Sequence, residues 1–320
     1  MDDGNVGFAA VLGGEAHASF HDWRVPPRHR HWVHLQLTPE TETWLLNRGG
    51  IDPVAFRALV AMGARPRCAS FDDGVLVVLR GVNTNDAALP EDMVSVRMWI
   101  ESTRIVTVAP RQVPAVGDVR RRLESGRGPT STSELIVDLA GRMLDRMTPI
   151  LGELEEMTDA LTERLVDEDL VGFRIELTQL RRRTIQFRRH LAPQRDALRA
   201  LLRENRIEFA ERDRELLREV AERTQKHVED VSALSERATV MHDELESRLG
   251  ERMNRNMQTM SLAAVMFLPM SFVTSLLGIN VGGIPGADSP YGFAIVCIAL
   301  AIVFLAQWFV LRRLRFFRPL

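Results

Sequence analysis

Residues 259–277 of this 320-residue chain read TMSLAAVMFLPMSFVTSLL and contain no Asp, Glu, Lys, Arg or His. They lie inside a longer uncharged run from Met257 to Ala287, and a second uncharged run extends from Ser289 to Leu311. A bilayer core of about 30 Å requires roughly 20 apolar residues in a helix. Each run therefore predicts one transmembrane helix, at 259–277 and at 292–311, and neither run is long enough to cross twice.

The segment between the two runs is rich in Gly and Pro, which end helices and favour turns, so the spans are expected to form a helical hairpin. Arginines flank the hairpin and are absent from its loop: Arg248, Arg252, Arg255, Arg312, Arg313, Arg315 and Arg318. The positive-inside rule then places both termini in the cytoplasm. The alternative, two buried helices of a soluble core, fits poorly because buried helices of this length rarely lack every charge.

The overall composition excludes several classes of protein. The 41 basic and 43 acidic residues nearly balance, which gives no support for nucleic-acid binding. Cys68 and Cys297 alone cannot make a disulfide framework or a cysteine-based zinc site. The chain has no Walker A, GxSxG or HExxH motif, so we expect no ATP-driven pumping, no enzyme activity and no cofactor. Its acidic start predicts no signal peptide.

The first 125 residues or so have the mixed pattern of an α/β domain. Strands are predicted at Val6–Leu12, His31–Leu37, Arg67–Phe71, Val75–Val82, Met93–Ile100 and Arg104–Val108. The residues Asp72, Asp73 and Gly74 predict a hairpin turn between the third and fourth of these strands. Short helices are predicted at Pro39–Asn47, Pro53–Met62 and Val113–Glu124, and residues 125–131 read as a linker.

Long helices are predicted from Ser133 onward. The first covers Ser133–Asp167, and the second covers Val171–Asn205 with a possible bend at Pro193. A third begins near Glu211 and enters the first span without a breaker. Its apolar stripe consists of Leu217, Val220, Val228, Val231, Leu234, Met241, Leu245 and Leu249. This helix would form a cytoplasmic stalk, and since one helix cannot enclose a pore, several copies would be needed to line one.

The predicted fold is an α+β cytoplasmic domain followed by long helices and a two-span transmembrane helical hairpin. The expected divisions are 1–130 (α/β domain), 131–258 (long-helix bundle and stalk), 259–277 (first span), 278–291 (outer loop), 292–311 (second span) and 312–320 (basic cytoplasmic tail).

One stripe of the third helix carries small and polar residues. Heptad steps back from Ser275 give Ser271, Leu268, Ala264, Ser261, Met257, Asn254, Gly250, Ser247 and Asp243. Hydroxyl groups at such spacing in a membrane span are expected to face protein or water rather than lipid. The stripe by itself supports a pore lining and a close helix–helix contact equally. Pro269 removes the N–H that would bond the Val265 carbonyl, which predicts a hinge or an ordinary tolerated kink.

The first span and the loop after it resemble those of the CorA-type divalent-cation transporters. In that family a Gly-Met-Asn triplet ends the first span, and here the triplet is Gly278-Ile279-Asn280. The aliphatic residue in place of Met, followed by Gly-Gly-Ile-Pro-Gly, is similar to the ZntB branch, which is associated with zinc. The segments at 31–35 and 191–196 also look like that branch. The resemblance covers nearly the whole chain, including the order of its parts.

The resemblance implies a homopentamer in the inner membrane, with five stalk helices around a central pore and the second spans facing lipid. Asn280 would form a ring at the outer mouth that first holds a hydrated divalent cation. The neutral oxygens of the stripe suit an ion that keeps its water, since bare Zn²⁺ prefers Cys, His and carboxylate ligands. Asp243 would form a carboxylate ring on the cytoplasmic side, or be a solvated stalk charge.

Several alternatives remain open at this point. A transporter of Mg²⁺, Co²⁺ or Ni²⁺ and a membrane-anchored coiled-coil scaffold without ion flux both fit the same pattern. Neither span contains an ionisable Asp, Glu or His, so proton coupling would have to use groups such as Asp243 and His242. The direction of transport is not indicated.

Five of the eight histidines fall between His17 and His34. His29 and His31 are two residues apart and could lie on one face of a strand, and imidazole is a favoured zinc ligand, so the pair is a candidate for a cytoplasmic zinc site. A structural role is favoured over this site, because the neighbouring Arg28 and Arg30 would repel a cation and His34 belongs to a strand that resembles a structural family motif.

Overall fold

A computed structural model describes residues 7–14, 17–18, 29–85, 88–165, 170–279 and 289–313. The chain divides into two compact units, Met1–His242 and Asp243–Leu320. The first unit contains a mixed β-sheet and most of the helices, and the second contains the two apolar helical segments. One long helix contributes residues to both units.

Among the described residues, seven strands form one sheet in the order β2-β1-β3-β7-β6-β5-β4. β3 and β7 run parallel, and the other neighbouring pairs are antiparallel. The six strands predicted from the sequence are confirmed to within one residue at each end, and only the two-residue β2 was not predicted. The bounds are β1 Gly7–Val11, β2 His17–Ala18, β3 His31–Gln36, β4 Arg67–Phe71, β5 Gly74–Gly81, β6 Val94–Ile100 and β7 Arg104–Ala109.

The predicted hairpin joins β4 and β5 through a two-residue turn at Asp72 and Asp73, because Phe71 pairs directly with Gly74. Gly74 is therefore the first residue of β5. It has no side chain for a steric reason: a Cβ atom there would lie 2.7 Å from the carbonyl oxygen of Ile100 and 2.8 Å from the ring of Trp99. Close approach to the neighbouring strand, rather than turn geometry, requires glycine at this position.

Three short helices lie beside the sheet: α1 Pro39–Arg48, α2 Pro53–Val60 and α3 Pro114–Glu124. Each begins with proline, whose fixed φ suits the first helical position and whose missing N–H would be unpaired there anyway. Thr38 and Asp52 cap α1 and α2 by accepting hydrogen bonds from backbone N–H groups of the first turn. The three helices agree with the predicted ones to within two residues.

The prediction of one helix over Ser133–Asp167 is wrong, because the structure divides this segment into α4 Thr132–Asp145 and α5 Thr148–Arg164. Pro149 explains the break: it has no N–H to bond the carbonyl of Asp145, and its ring would collide with that carbonyl in a continuous helix. The apolar repeat continues across the break, since Met147 is fully buried. Periodicity alone therefore did not reveal it.

Two hydrophobic clusters cover opposite faces of the sheet. The residues of β5 alternate between them, with Val77 in the larger cluster and Leu76 and Val78 in the smaller one. The larger cluster joins the sheet to α3, α4 and the two long helices, and the smaller cluster joins it to α1 and α2. The core of the α/β part thus includes residues from helices that follow residue 130 in the chain.

Two long helices follow: α6 Leu170–Leu202, which runs through Pro193, and α7 Glu211–Leu277. α7 continues without a break into the predicted first span, as expected from the sequence. Its predicted apolar stripe is buried from Leu217 to Leu245. Leu249 departs from this pattern with 39% exposure, so the stripe that is buried within one chain ends one turn earlier than predicted.

Both predicted spans are helical. The apolar end of α7 and the helix α8 Gly292–Arg313 are long and apolar enough to cross a membrane. In the most apolar window of each helix almost nothing is buried inside the chain, 0% for α7 and 6% for α8. Core helices of a soluble protein would be mostly buried, so this exposure supports the membrane interpretation over the soluble alternative.

Candidate functional site

The predicted triplet begins directly after α7. The N–H of Gly278 donates to the carbonyls of Thr274 and Ser275, at 2.9 and 3.2 Å, and thus continues the helical hydrogen bonding by one residue. Ile279 is exposed, and Asn280 lies outside the described residues, together with 281–288. The structure therefore fixes where α7 ends relative to the triplet, and the role of Asn280 stays a prediction.

All of the predicted pore-lining residues lie on α7 and are exposed in the single chain: Asp243, Asn254, Met257, Ser261, Ala264, Leu268, Ser271 and Ser275. The five within the span share one face. At 100° per residue, they fall within a sector of about 80° around the helix. We call these five residues, Ser261, Ala264, Leu268, Ser271 and Ser275, the serine stripe.

The opposite side of α7 is partly covered. The half-buried positions of the span are Leu262, Met266, Met270 and Val273, and their centre lies about 180° from that of the serine stripe. α8 has a matching half-buried stripe at Gly292, Val296, Leu300, Val303 and Gln307. The side-chain Nε2 of Gln307 lies 3.5 Å from the carbonyl oxygen of Val265, which shows that the two helices meet. The serine stripe thus faces away from α8.

Hydroxyl groups in this span fall into two groups. Thr259 and Thr274 donate to carbonyls of the preceding turn, at 2.9 and 3.0 Å, as hydroxyls in apolar helices commonly do. Within the described part of the chain, the hydroxyls of Ser261, Ser271 and Ser275 make no hydrogen bond. These three groups, all in the serine stripe, remain available to water or to a hydrated ion.

The two histidines of the weak zinc prediction differ in environment. His29 is exposed and precedes β3, so it does not share a strand face with His31 as the sequence suggested. His31 is 1% exposed, and its Nδ1 lies 3.3 Å from the carbonyl oxygen of His29. Burial, with a smaller contribution from Arg104, lowers the pKa of His31. Among the described residues, no three His, Cys, Asp or Glu side chains are grouped so that they could hold a metal ion.

The sequence profile of the CorA-like Mg²⁺ transporter family matches residues 29–313, which is most of the chain. The chain belongs to the CorA-like family. A divalent cation transporter named CmaX, from Pseudomonas aeruginosa, is 39% identical over 292 residues, covering 90% of this chain and 88% of that relative. A zinc transport protein named ZntB, from Yersinia pseudotuberculosis, is 34% identical over 283 residues, covering 88% and 86%.

Solved structures agree with this membership. Full-length CmaX superimposes with a TM-score of 0.79 at 37% identity, covering 97% of both chains. The CorA magnesium transporter of Methanocaldococcus jannaschii gives the same TM-score at 18% identity, which shows a shared fold. As a member of the CorA-like family, the protein is a divalent-cation transporter of the membrane and not an enzyme.

Gln307, a polar residue in the second span, was not identified as functional from the sequence. Gln307 was counted only as part of an uncharged run, although an amide inside a membrane helix is costly and is usually functional. The combination of Pro269 in one span and a lone amide in the other was the signal that would have drawn attention to it.

Proposed function

We propose that the protein carries Zn²⁺ across the inner membrane, down its gradient, through the central pore of a homopentamer with cytoplasmic termini. The observation that carries this proposal is the arrangement at the end of α7, where the exposed serine stripe leads directly to Gly278 and Ile279. Because the stripe faces away from α8, five copies of α7 placed with their stripes inward would leave α8 on the outside.

The preference for zinc over magnesium rests on sequence. Ile279 stands where the magnesium-type members of the family have Met. Relatives at 34% identity over most of the chain are named as zinc transport proteins. The name of the 39% identical relative is less specific, since it states only a divalent cation. Mg²⁺, Co²⁺ and Ni²⁺ are therefore the competitors that any transport assay must include.

The chemistry of the serine stripe favours a hydrated ion. Hydroxyl oxygens and backbone carbonyls replace few of the water molecules around a divalent cation, whereas bare Zn²⁺ is held by Cys, His or carboxylate at about 2.0–2.3 Å. Neither span has an ionisable Asp, Glu or His that would bind the ion directly or carry a proton. Selection would then occur at the Asn280 ring, and any proton coupling would use groups outside the spans, such as His242 and Asp243.

Replacing Asn280 with Ala tests this assignment in vesicles that contain the purified protein. We expect zinc uptake to be abolished, because the ring that first holds the hydrated ion is removed. Asn256→Ala is the matched control: it removes an exposed amide from α7 about 100° away from the serine stripe. Undiminished flux through Asn280→Ala would contradict the assignment, and the absence of flux through the wild-type protein would favour a scaffold.

A further inference from the structure

Pro269 leaves one carbonyl of α7 without its helical partner. Proline has no N–H, so the carbonyl of Val265, four residues earlier, loses the hydrogen bond that an α-helix normally gives it. In water such a group would be solvated, but in the hydrocarbon core nothing replaces the lost donor. A transmembrane helix with an internal proline therefore needs a donor from a neighbouring element, or it must bend to find one.

Gln307 is the only amide or charged side chain in the apolar part of α8, from 292 to 311. Its Nε2 donates to the carbonyl oxygen of Val265, over 3.5 Å. The acceptor is the same carbonyl that Pro269 deprives of its partner. Two independent features, the position of a proline on one helix and of a glutamine on the other, thus lead to the same backbone atom.

The amide oxygen of Gln307 indicates that the contact made by its amide nitrogen is the favourable one. The Oε1 atom of Gln307 is buried and has no hydrogen-bond partner among the described residues. Burying an unpaired amide oxygen in an apolar environment is unfavourable, and Leu or Met at this position would avoid it. Because a carbonyl only accepts, it is the Nε2 group that must face Val265. The Nε2 contact is therefore the interaction that offsets the buried oxygen.

We propose that Gln307 is a positioning residue for transport, which replaces the hydrogen bond that Pro269 removes and so holds α7 against α8 at the hinge. The expected effect of Gln307 on ion flux depends on the proposed pore function of α7. The hydrogen bond from Gln307 to the Val265 carbonyl does not depend on that function. In this arrangement the segment of α7 that precedes Pro269 is fixed to α8 through one side chain. Opening that contact frees the proline to bend the serine stripe.

A double-mutant cycle on the full-length protein in detergent tests directly whether Gln307 replaces the hydrogen bond that Pro269 removes. We expect Gln307→Met to lower the melting temperature when Pro269 is present. It should have little effect in the Pro269→Ala background, because that substitution restores a backbone N–H that bonds the Val265 carbonyl within the helix. Val303→Leu, on the same half-buried face of α8, controls for altered packing. An equal loss of melting temperature in the wild-type and Pro269→Ala backgrounds would overturn the proposal. If Gln307→Met does not fold, Gln307→Leu is used in the same cycle.

Zinc flux in vesicles supplies the second readout. Gln307→Met should lower the maximal flux several-fold and leave the apparent KM unchanged, because the ion is first held at the outer mouth. In the Pro269→Ala background the same substitution should lower the flux much less. A similar loss in both backgrounds, or a loss confined to KM, would contradict the positioning role. If the wild-type protein carries no zinc, the proposed function fails while the melting cycle still decides the hydrogen-bond exchange.

Discussion

The Nδ1 atom of His34 lies 2.8 Å from the hydroxyl oxygen of Thr107, across the parallel pair β3 and β7. The indole N–H of Trp32 donates to the same hydroxyl, also at 2.8 Å. Since the indole can only donate, Thr107 accepts from Trp32, and its own proton can go either to the ring nitrogen of His34 or to the carbonyl oxygen of Val33, 3.4 Å away. Burial lowers the pKa of His34 to about 3, so the imidazole in this arrangement is neutral near pH 7.

We expect the protein to lose stability as the pH falls from about 7 to 5. Burial lowers the pKa of His34 to about 3 and that of His190 to about 4, with a contribution from Arg80 at His190. Burial also lowers the pKa values of His31 and His227. Below the ordinary pKa of 6.5 the unfolded chain binds protons that the folded chain excludes, so stability is complete above that pH and declines below it.

The measurement is the melting temperature of the full-length protein in detergent, as a function of pH. His29→Gln, which removes an exposed histidine, is the control for histidine substitution itself. A melting temperature that rises between pH 7 and pH 5 would contradict the expected sign.

Gly74→Ala should destabilise the protein by about 1–3 kcal/mol or more, since the new methyl group would overlap the Ile100 carbonyl and the Trp99 ring. Gly152→Ala in α5 is the matched control, because nothing lies within 4 Å of a Cβ atom there. In a helix the same change should stabilise by about 0.5–1 kcal/mol. Chemical unfolding of both variants checks the pair, and equal effects would refute the steric explanation.

Much of the fold followed from local patterns in the sequence. Local patterns located six strands and the short helices, the turn signal at Asp72, Asp73 and Gly74 located the hairpin, and the lack of charge located both spans. The break between α4 and α5 was missed because the buried face continues through Met147. The parallel pairing of β3 with β7 was not accessible either, since it joins segments about 70 residues apart and leaves no local signal.

The candidate site was predicted in part. Hydroxyl spacing identified a stripe on α7, and the structure adds that this stripe faces away from α8. The sequence also indicated that Pro269 releases the Val265 carbonyl. It did not show which group bonds that carbonyl instead, because the register of α7 against α8 depends on tertiary packing.

Adjacent alanines allow a test of the serine stripe. Ala264 lies in the stripe and Ala263 lies about 100° away, and both are exposed in the single chain. Ala264→Phe would place five phenyl rings in the proposed pore and should reduce zinc flux roughly tenfold or more. Ala263→Phe should leave it within roughly twofold. Equal effects of the two substitutions on uptake in vesicles would show that α7 does not present this face to the ion.

Ile279→Met restores the residue that magnesium-type relatives have in the triplet. If the residue beside Asn280 contributes to ion choice, the variant should carry Mg²⁺ better relative to Zn²⁺ than the wild-type protein does. Uptake of the two ions, measured in competition, gives the ratio. Ile295→Met, at an exposed position of α8, controls for the change in side chain, and an unchanged ratio in Ile279→Met would exclude this contribution.

Zinc uptake by the purified wild-type protein in sealed vesicles tests the central claim most directly. The assay should run with and without a pH gradient, and with Mg²⁺, Co²⁺ and Ni²⁺ in separate samples. We expect accumulation of Zn²⁺ that depends on the protein and on the zinc gradient, exceeds that of the other ions and is abolished in Asn280→Ala. Vesicles that contain correctly folded protein and still accumulate no divalent cation faster than empty ones would contradict the account.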